Sequence, residues 1–373
     1  MKKVRIVDCT LRDGLQAAGY SLDYSKREKI LNLLIAAGIK DIEAGIPCSS
    51  QEEMHWLKEM HEKTKDQDVS LICWCRAKSV DLAAAGKTGI ERVHMAFPVS
   101  SILMDLYDKS KESVMEEARS LILEAKEMFS FVSIGFMDAL RADRNYLREM
   151  YSMTEELGVD QVRISDTVGT AMPWDIEELI SFITSEKGPE IEFHGHNDLG
   201  MATANSLSAL RGGASAISCT LSGMGERAGN CRLEELLAAL IQQNEFEDLP
   251  NMRSVLRAEE WFRKISNFKP TLSRPITGKR AFTHESGVHG QGLWKRADSY
   301  CGLNPADFGK EHEFLYGDSS GRSMIERFLI SRGHDLQKEE MESFLATLKT
   351  EARKRGKSLS GEELVIEFLA RCS

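Results

Sequence analysis

Ile191-Glu192-Phe193-His194-Gly195-His196-Asn197-Asp198-Leu199-Gly200 carries an apolar-rich run into a glycine-punctuated turn, and an Ala-rich helical pattern opens at Met201. The order is strand, loop, helix. Side chains alternate between the faces of a strand, so His194 and His196 lie on one face at its end. Both imidazoles can reach one ion there. Neutral imidazole ligates divalent transition metals, but two nitrogens rarely close a site, so a carboxylate is needed from elsewhere. Asp13, in Thr10-Leu11-Arg12-Asp13-Gly14-Leu15-Gln16, is the best-placed candidate, because it follows the apolar run 4–7 and also stands where a strand passes into a loop. Taken alone, a His pair at this spacing also suits a hydrogen-bonded structural pair.

The same unit recurs on either side. Strand patterns at 4–8, 39–43, 69–73, 92–97, 131–136, 161–164, 190–193 and 216–220 alternate with helical patterns at 25–37, 51–64, 79–85, 112–128, 144–157, 174–184, 201–210 and 233–242. About eight strand–helix units in about 240 residues is the size of a closed, parallel (β/α)8 TIM barrel. A doubly wound open sheet is the rival, and it predicts phosphate-binding glycines after the first strand; Arg12-Asp13-Gly14-Leu15-Gln16 is not that fingerprint. In a barrel, Arg12-Asp13, Glu43, Asp138, Asp166-Thr167, the two histidines and residues 223–230 all end strands on one rim, where such folds place their chemistry. After Asn244 the rhythm breaks. A helix at 257–265, a Pro- and Gly-punctuated stretch at 269–278 and a loop-like run at 282–292 precede helices at 323–330, 338–353 and 361–370. The expectation is a catalytic barrel over 1–244 and a mostly helical C-terminal region over 245–373 that contains an active-site loop.

The net charge of −10 provides no basic field for a nucleic-acid backbone, which sets nucleic acid aside as a partner. Eight cysteines without a zinc-type CxxC pair fit free thiols in a reducing cytosol, hence a cytoplasmic protein. The N-terminal apolar run is too short for a signal peptide, and no segment approaches the roughly 20 apolar residues that span a membrane.

Asp8-Cys9-Thr10-Leu11-Arg12-Asp13-Gly14, His194-Gly195-His196-Asn197-Asp198-Leu199-Gly200, Gly225-Glu226-Arg227-Ala228-Gly229-Asn230 and His284-Glu285-Ser286-Gly287-Val288-His289 together resemble the metal-dependent Claisen-condensing synthases, a family that includes homocitrate, 2-isopropylmalate and citramalate synthases. The likeness runs from about Val4 to Arg322 and is nearest to the short homocitrate synthases of the nitrogen-fixation type. It implies a TIM-barrel acyltransferase that condenses acetyl-CoA with a 2-oxo acid, 2-oxoglutarate before others, with a divalent metal as cofactor. It also implies that Thr167 holds the oxo acid's carboxylate, that His94 lies in the pocket, and that His289 and Tyr300 take part in enolising acetyl-CoA. A homodimer is implied as well.

The residues suit that chemistry directly. A 2-oxo acid chelating a divalent ion has a polarised carbonyl. Asp13, His194 and His196 would hold the ion, which this donor set allows to be Zn²⁺, Mn²⁺, Co²⁺ or Mg²⁺. Arg12 would set a fixed positive charge against the oxygen that becomes an alkoxide, and Gln16 would orient the substrate. Asn230 is either a further ligand or the residue of a Gly-Asn turn. Glu43 either contacts substrate near the metal or pairs with Arg12. Asp198 would cap the helix that follows.

Two positions depart from the family. Leu15 stands where the synthases carry Glu, and 3-hydroxy-3-methylglutaryl-CoA lyases share Arg-Asp-Gly-Leu-Gln there, which opens a lyase alternative; the reactive Cys those lyases place in the glycine-rich loop is absent from 222–229. Met137 stands where the synthases carry the Glu of a Glu-Asp pair, and it is the best support for a catalytically silent binding barrel. Citrate, 2-isopropylmalate or citramalate formation would use the same machinery.

Overall fold

The parallel strands predicted by the βα rhythm close on themselves. In this computed structural model, which describes residues 1–184, 188–334 and 337–372, the barrel strands are β1 (Arg5–Asp8), β2 (Asp41–Gly45), β3 (Ser70–Arg76), β4 (Arg92–Pro98), β5 (Phe131–Met137), β6 (Gln161–Asp166), β7 (Glu190–Gly195) and β8 (Ala216–Cys219). They pair in sequence order, and β8 returns to β1 with Asp8 opposite Cys219. Several of the helices between them start at side chains that accept otherwise orphaned N–H groups: Asp23 from Lys26 (2.9 Å), Ser50 from Glu53 (3.0 Å), Asp143 from Tyr146 (2.8 Å). A short helix at Ser101–Leu106 was not visible in the periodicity.

Strand alternation separates two cores. Val93, Met95 and Phe97 on β4 and Val132, Ile134 and Phe136 on β5 are fully buried against the helices. The other parity meets inside the barrel, where Val7, Ile72 and Ala216 form a small apolar cluster, and beside it His94, Ser133, Gln161, Arg163, Glu192 and Ser218 are bonded across four neighbouring pairs of strands. Such interiors are usually filled by branched apolar side chains. Here a polar shaft runs up to the rim.

The rhythm breaks at Asn244, but the compact unit continues to Lys269. Helix α9, as we number Met252–Ser266 after the eight barrel helices, packs on Tyr24–Ala36 and Leu233–Gln243 and buries Val255, Ala258 and Phe262. The parallel two-residue ribbon of Lys2–Lys3 with Phe246–Glu247 leads into it. The second unit, from Pro270, has helices Gly287–Lys295, Arg322–Ser331, Lys338–Arg355 and Gly361–Cys372 around Tyr316, Met324, Ile325, Leu329, Phe344 and Leu348. The run 282–292 corrects our expectation of a loop. Thr283–His284 pairs in parallel with Glu313–Phe314, and a helix follows. Its glycines read as loop punctuation, yet they permit close packing: a Cβ on Gly287 would lie 2.6 Å from Gly321 Cα, and one on Gly290 would lie 2.8 Å from Met324 Sδ. No described helix is long and apolar enough to cross a membrane.

Candidate metal centre and active site

His194 is on the last turn of the pleat of β7, and His196 lies just beyond it, bridged antiparallel to Asn230. Asp13 sits in the tight turn after β1, where the Gly14 and Arg12 amides both donate to the Cys9 carbonyl (3.0 and 3.2 Å). One ligand atom from each of Asp13, His194 and His196 falls within 4.8 Å of the others, and all three residues are buried. The two rings meet edge to face at 5.1 Å.

The donor set fits a divalent cation. His196 Nδ1 faces the Gly229 carbonyl at 3.3 Å, which places the ring proton there and leaves Nε2 with its lone pair. His194 Nδ1 is buried with no hydrogen-bond partner among the described residues. Burial pushes the His194 imidazole down to about 3, so it is neutral, as a ligand must be. Burial opposes ionisation of Asp13, but Arg12 foremost outweighs it and holds the carboxyl below its usual range. Asn230 reaches this group through Asp13: its Nδ2 donates to Asp13 Oδ2 and to the Met224 carbonyl, while its Oδ1 is buried without a partner among the described residues.

Arg12 is buried beside the trio. Its Nε donates to Glu43 Oε2 (2.5 Å) and its Nη1 to Asp13 Oδ1 (2.7 Å), with the guanidinium 5.5 Å from the centre of the Trp74 ring. Among the described residues nothing engages Nη2, which is left for a ligand. Glu43 is fully buried; its Oε1 lies 2.6 Å from Arg163 Nη2, which in turn lies 2.9 Å from Glu192 Oε1. Burial works against the charge on Glu43, yet Arg12 and Arg163 hold its carboxyl well below the ordinary range. Each of its oxygens therefore faces an arginine, Oε2 in a hydrogen bond and Oε1 in an ion pair without one among the described residues.

The other expected residues are distributed as follows. His94 is buried with Nδ1 2.8 Å from Ser133 Oγ, and burial, aided by Arg163, keeps the ring neutral. Thr167 Oγ1 accepts the Asp138 amide at 2.8 Å, so its own hydroxyl proton is free to be donated. Gln16 is exposed on the turn Gly14–Gln16. His289 and Tyr300 lie in the second unit, both exposed, with rings stacked at 4.4 Å. Asp198 does not cap the next helix: Asn197 Oδ1 accepts the Ala202 amide (3.1 Å), and Asp198 instead takes a fork from Arg227 (2.8 and 2.9 Å), whose Nη2 also reaches the Thr167 carbonyl. Arg163 and Glu192 were overlooked. Their signal was present, since charged residues inside Val162–Ile164 and Ile191–Phe193 interrupt strands that a parallel barrel buries on both faces.

A profile of the HMGL-like family matches residues 3–261, and one described as homocitrate synthase post-HMGL domain-like matches residues 276–356. The chain belongs to the HMGL-like family. Homocitrate synthase 1 of Nostoc sp. is 33% identical over 366 residues, which cover 98% of this chain and 97% of that protein. The (R)-citramalate synthase of Methanocaldococcus jannaschii is 34% identical over 364 residues, covering 97% and 73%. Among solved structures, HMG-CoA lyase of Bacillus subtilis has a TM-score of 0.65 at 19% identity over 74% of this chain and 97% of the lyase, a likeness of fold. The resemblance carried by the sequence motifs therefore holds: this HMGL-like protein is an enzyme of the acyltransferase type, related over nearly its whole length to the condensing synthases.

Proposed function

We propose that this protein condenses acetyl-CoA with a 2-oxo acid, 2-oxoglutarate giving homocitrate, with Asp13, His194 and His196 holding a divalent metal. The observation that carries the reading is the buried convergence of these three side chains beside Arg12 on the barrel rim. The choice of 2-oxoglutarate leans on kinship with the Nostoc homocitrate synthase, which this chain matches end to end. A bound divalent ion supplies Lewis-acid polarisation of a keto group.

The chain's own groups supply the rest. Arg12 offers Nη2 to the oxygen that gains charge as the new carbon–carbon bond forms, and its position is locked by Glu43 and Asp13, so little reorganisation is needed when that charge appears. Thr167 donates its hydroxyl proton to the oxo acid's carboxylate. His94 is a neutral imidazole in the shaft below. Its Nδ1 is engaged by Ser133 Oγ, which leaves Nε2 to meet a polar substrate group. Gln16 contributes an orienting amide at the rim. His289 and Tyr300 remove and relay the methyl proton of acetyl-CoA, and the protein acts as a homodimer.

The test is release of thiol from acetyl-CoA across 2-oxoglutarate, 2-oxoisovalerate, pyruvate and oxaloacetate, with the product identified by mass. We expect kcat/KM to be highest for 2-oxoglutarate. A preference for another acid moves the assignment to the corresponding synthase; no thiol release with any of them ends it. A lyase role has less support here, because Cys219 and Cys231, which flank the 222–229 loop, are buried thiols. Burial pushes Cys231 up to about 12 and Cys219 well above its usual range.

A further inference from the structure

The turn that leads from β8 into the metal-side loop is built around a residue in an unfavourable conformation. Ser222, inside Leu221–Gly223, is left-handed (φ 58°, ψ 6°) although it has a side chain. Non-glycine residues keep that conformation only where their surroundings over-determine it. Here two buried acids do so. Ser222 Oγ donates to Glu259 Oε1 at 2.6 Å, and the Ser222 amide donates to Glu234 Oε2 at 3.2 Å. Glu259 comes from α9, beyond the barrel, and Arg263 one turn on faces it at 3.6 Å. Ser222, Glu234 and Glu259 are each no more than 2% exposed.

The next links run to the metal centre. Gly223 donates to the Thr220 carbonyl (3.1 Å) and accepts the Asn230 amide (3.0 Å). The returning strand abuts it so closely that a Cβ on Gly229 would lie 2.0 Å from the Gly223 carbonyl oxygen. A shift of the turn must therefore move residues 229–230. Both of these hold candidate ligands: the Gly229 carbonyl receives His196 Nδ1 and the Asn197 amide, and Asn230 Nδ2 donates to Asp13.

We propose that Glu259 and Ser222 are positioning residues for the metal centre: their hydrogen bond holds the left-handed turn, and through Gly223, Gly229 and Asn230 it sets Asp13 and His196 in register. Neither residue touches the ion or the substrate. The helix after the barrel is thereby part of the metal site's support; partners that bond the ligands directly are worth about 10- to 100-fold in metal affinity, and this more remote link is expected at the lower end of that range. This inference rests on the metal reading above, and the experiment separates the two.

Metal dissociation constants would be measured on the full chain by chelator competition with Zn²⁺ or Mn²⁺, alongside thermal unfolding of the metal-free protein. Ser222→Ala and Glu259→Leu should each weaken binding by about tenfold. The double variant should be no weaker than either single one, because both cut the same link. Glu259→Gln keeps an oxygen acceptor for Ser222 and should stay within about threefold of wild type. Should Glu259→Leu fail to fold, Ser222→Ala and Glu259→Gln still decide the matter. Unchanged affinity in a folded Ser222→Ala protein overturns the proposal, as do losses in the two single variants that add in the double. A wild type that binds no metal overturns the metal reading itself.

Discussion

His196 is fixed by one hydrogen bond from its far nitrogen to the Gly229 carbonyl, and Asp13 by Arg12 and Asn230, whereas the far nitrogen of His194 has no hydrogen-bond partner among the described residues. His196→Ala leaves one imidazole and one carboxylate. We expect the purified variant to lose both retained metal and condensation, checked by elemental analysis and thiol release. Undiminished metal in that variant would falsify the assignment of the pair. Arg12→Lys keeps a charge but cannot span Glu43 and Asp13 while offering a third nitrogen. Turnover should fall by about two to three powers of ten, the loss of an oxyanion donor, with a smaller change in KM. Near-normal turnover would deny Arg12 the alkoxide role. Asp8, at the inner end of the β1 turn, behaves differently: burial raises its carboxyl from 3.8 to about 7, against the pull of the Thr10 amide and hydroxyl. The folded state then holds a proton that the unfolded state releases, so the stability this group contributes at low pH is lost as pH rises from about 4 to about 7. Asp8→Asn should remove that dependence. The melting temperature of the variant minus that of wild type should increase across this interval and level off above it; a constant difference would show that Asp8 is not protonated in the fold.

Among the elements, β5 ends in a thioether and β6 carries a buried cation into the barrel interior. Met137 ends β5, half-buried, opposite Pro98, and its carbonyl accepts the Val99 amide (3.2 Å) before Asp138 turns left-handed. A thioether there can neither take nor give a proton. Met137→Glu should raise condensation with the native oxo acid by about 10²-fold, the worth of a general-base partner, without changing metal content. If wild type and Met137→Glu both retain metal and both fail with every oxo acid, the condensing role should be abandoned for lysis or binding. On β6, Arg163 is the cation shared by Glu43 and Glu192 in the shaft. Arg163→Met would leave two buried carboxylates short of a partner, which costs about 3–5 kcal/mol. Denaturant unfolding should show it, and a loss under about 1 kcal/mol would mean that water or protonation compensates the acids.

For the whole molecule, the unit boundary at Lys269 matters more than the end of the strand–helix rhythm. A chain ending at Lys269 keeps α9 on Tyr24–Ala36 and Leu233–Gln243 and keeps Glu259 under the Ser222 turn. It should remain folded and bind metal yet lack condensation, since His289 and Tyr300 are removed. A chain ending at Asn244 strips the apolar faces that α9 covers and should aggregate. Circular dichroism and gel filtration of the two truncations would tell them apart; equal behaviour would mean that α9 is dispensable to the barrel.

The alternation of strand and helix was legible throughout the first 244 residues, because both periodicities and their punctuation are local properties of the chain. The conjunction of His194, His196 and Asp13 was legible too, the pair from strand parity and Asp13 from the expectation that a closed barrel brings strand ends to one rim. Only the tertiary structure decided what surrounds them. Glu43 became a partner of two arginines, Asp198 a partner of Arg227 rather than a cap, and Glu259 a support of a turn far away in sequence. Each of these is a long-range pairing whose sign depends on which strand ends share a layer of the barrel. Periodicity is silent on that point, and the glycines at 287 and 290 mark the same limit: a residue that breaks local order can be required by a neighbour that only folding brings near.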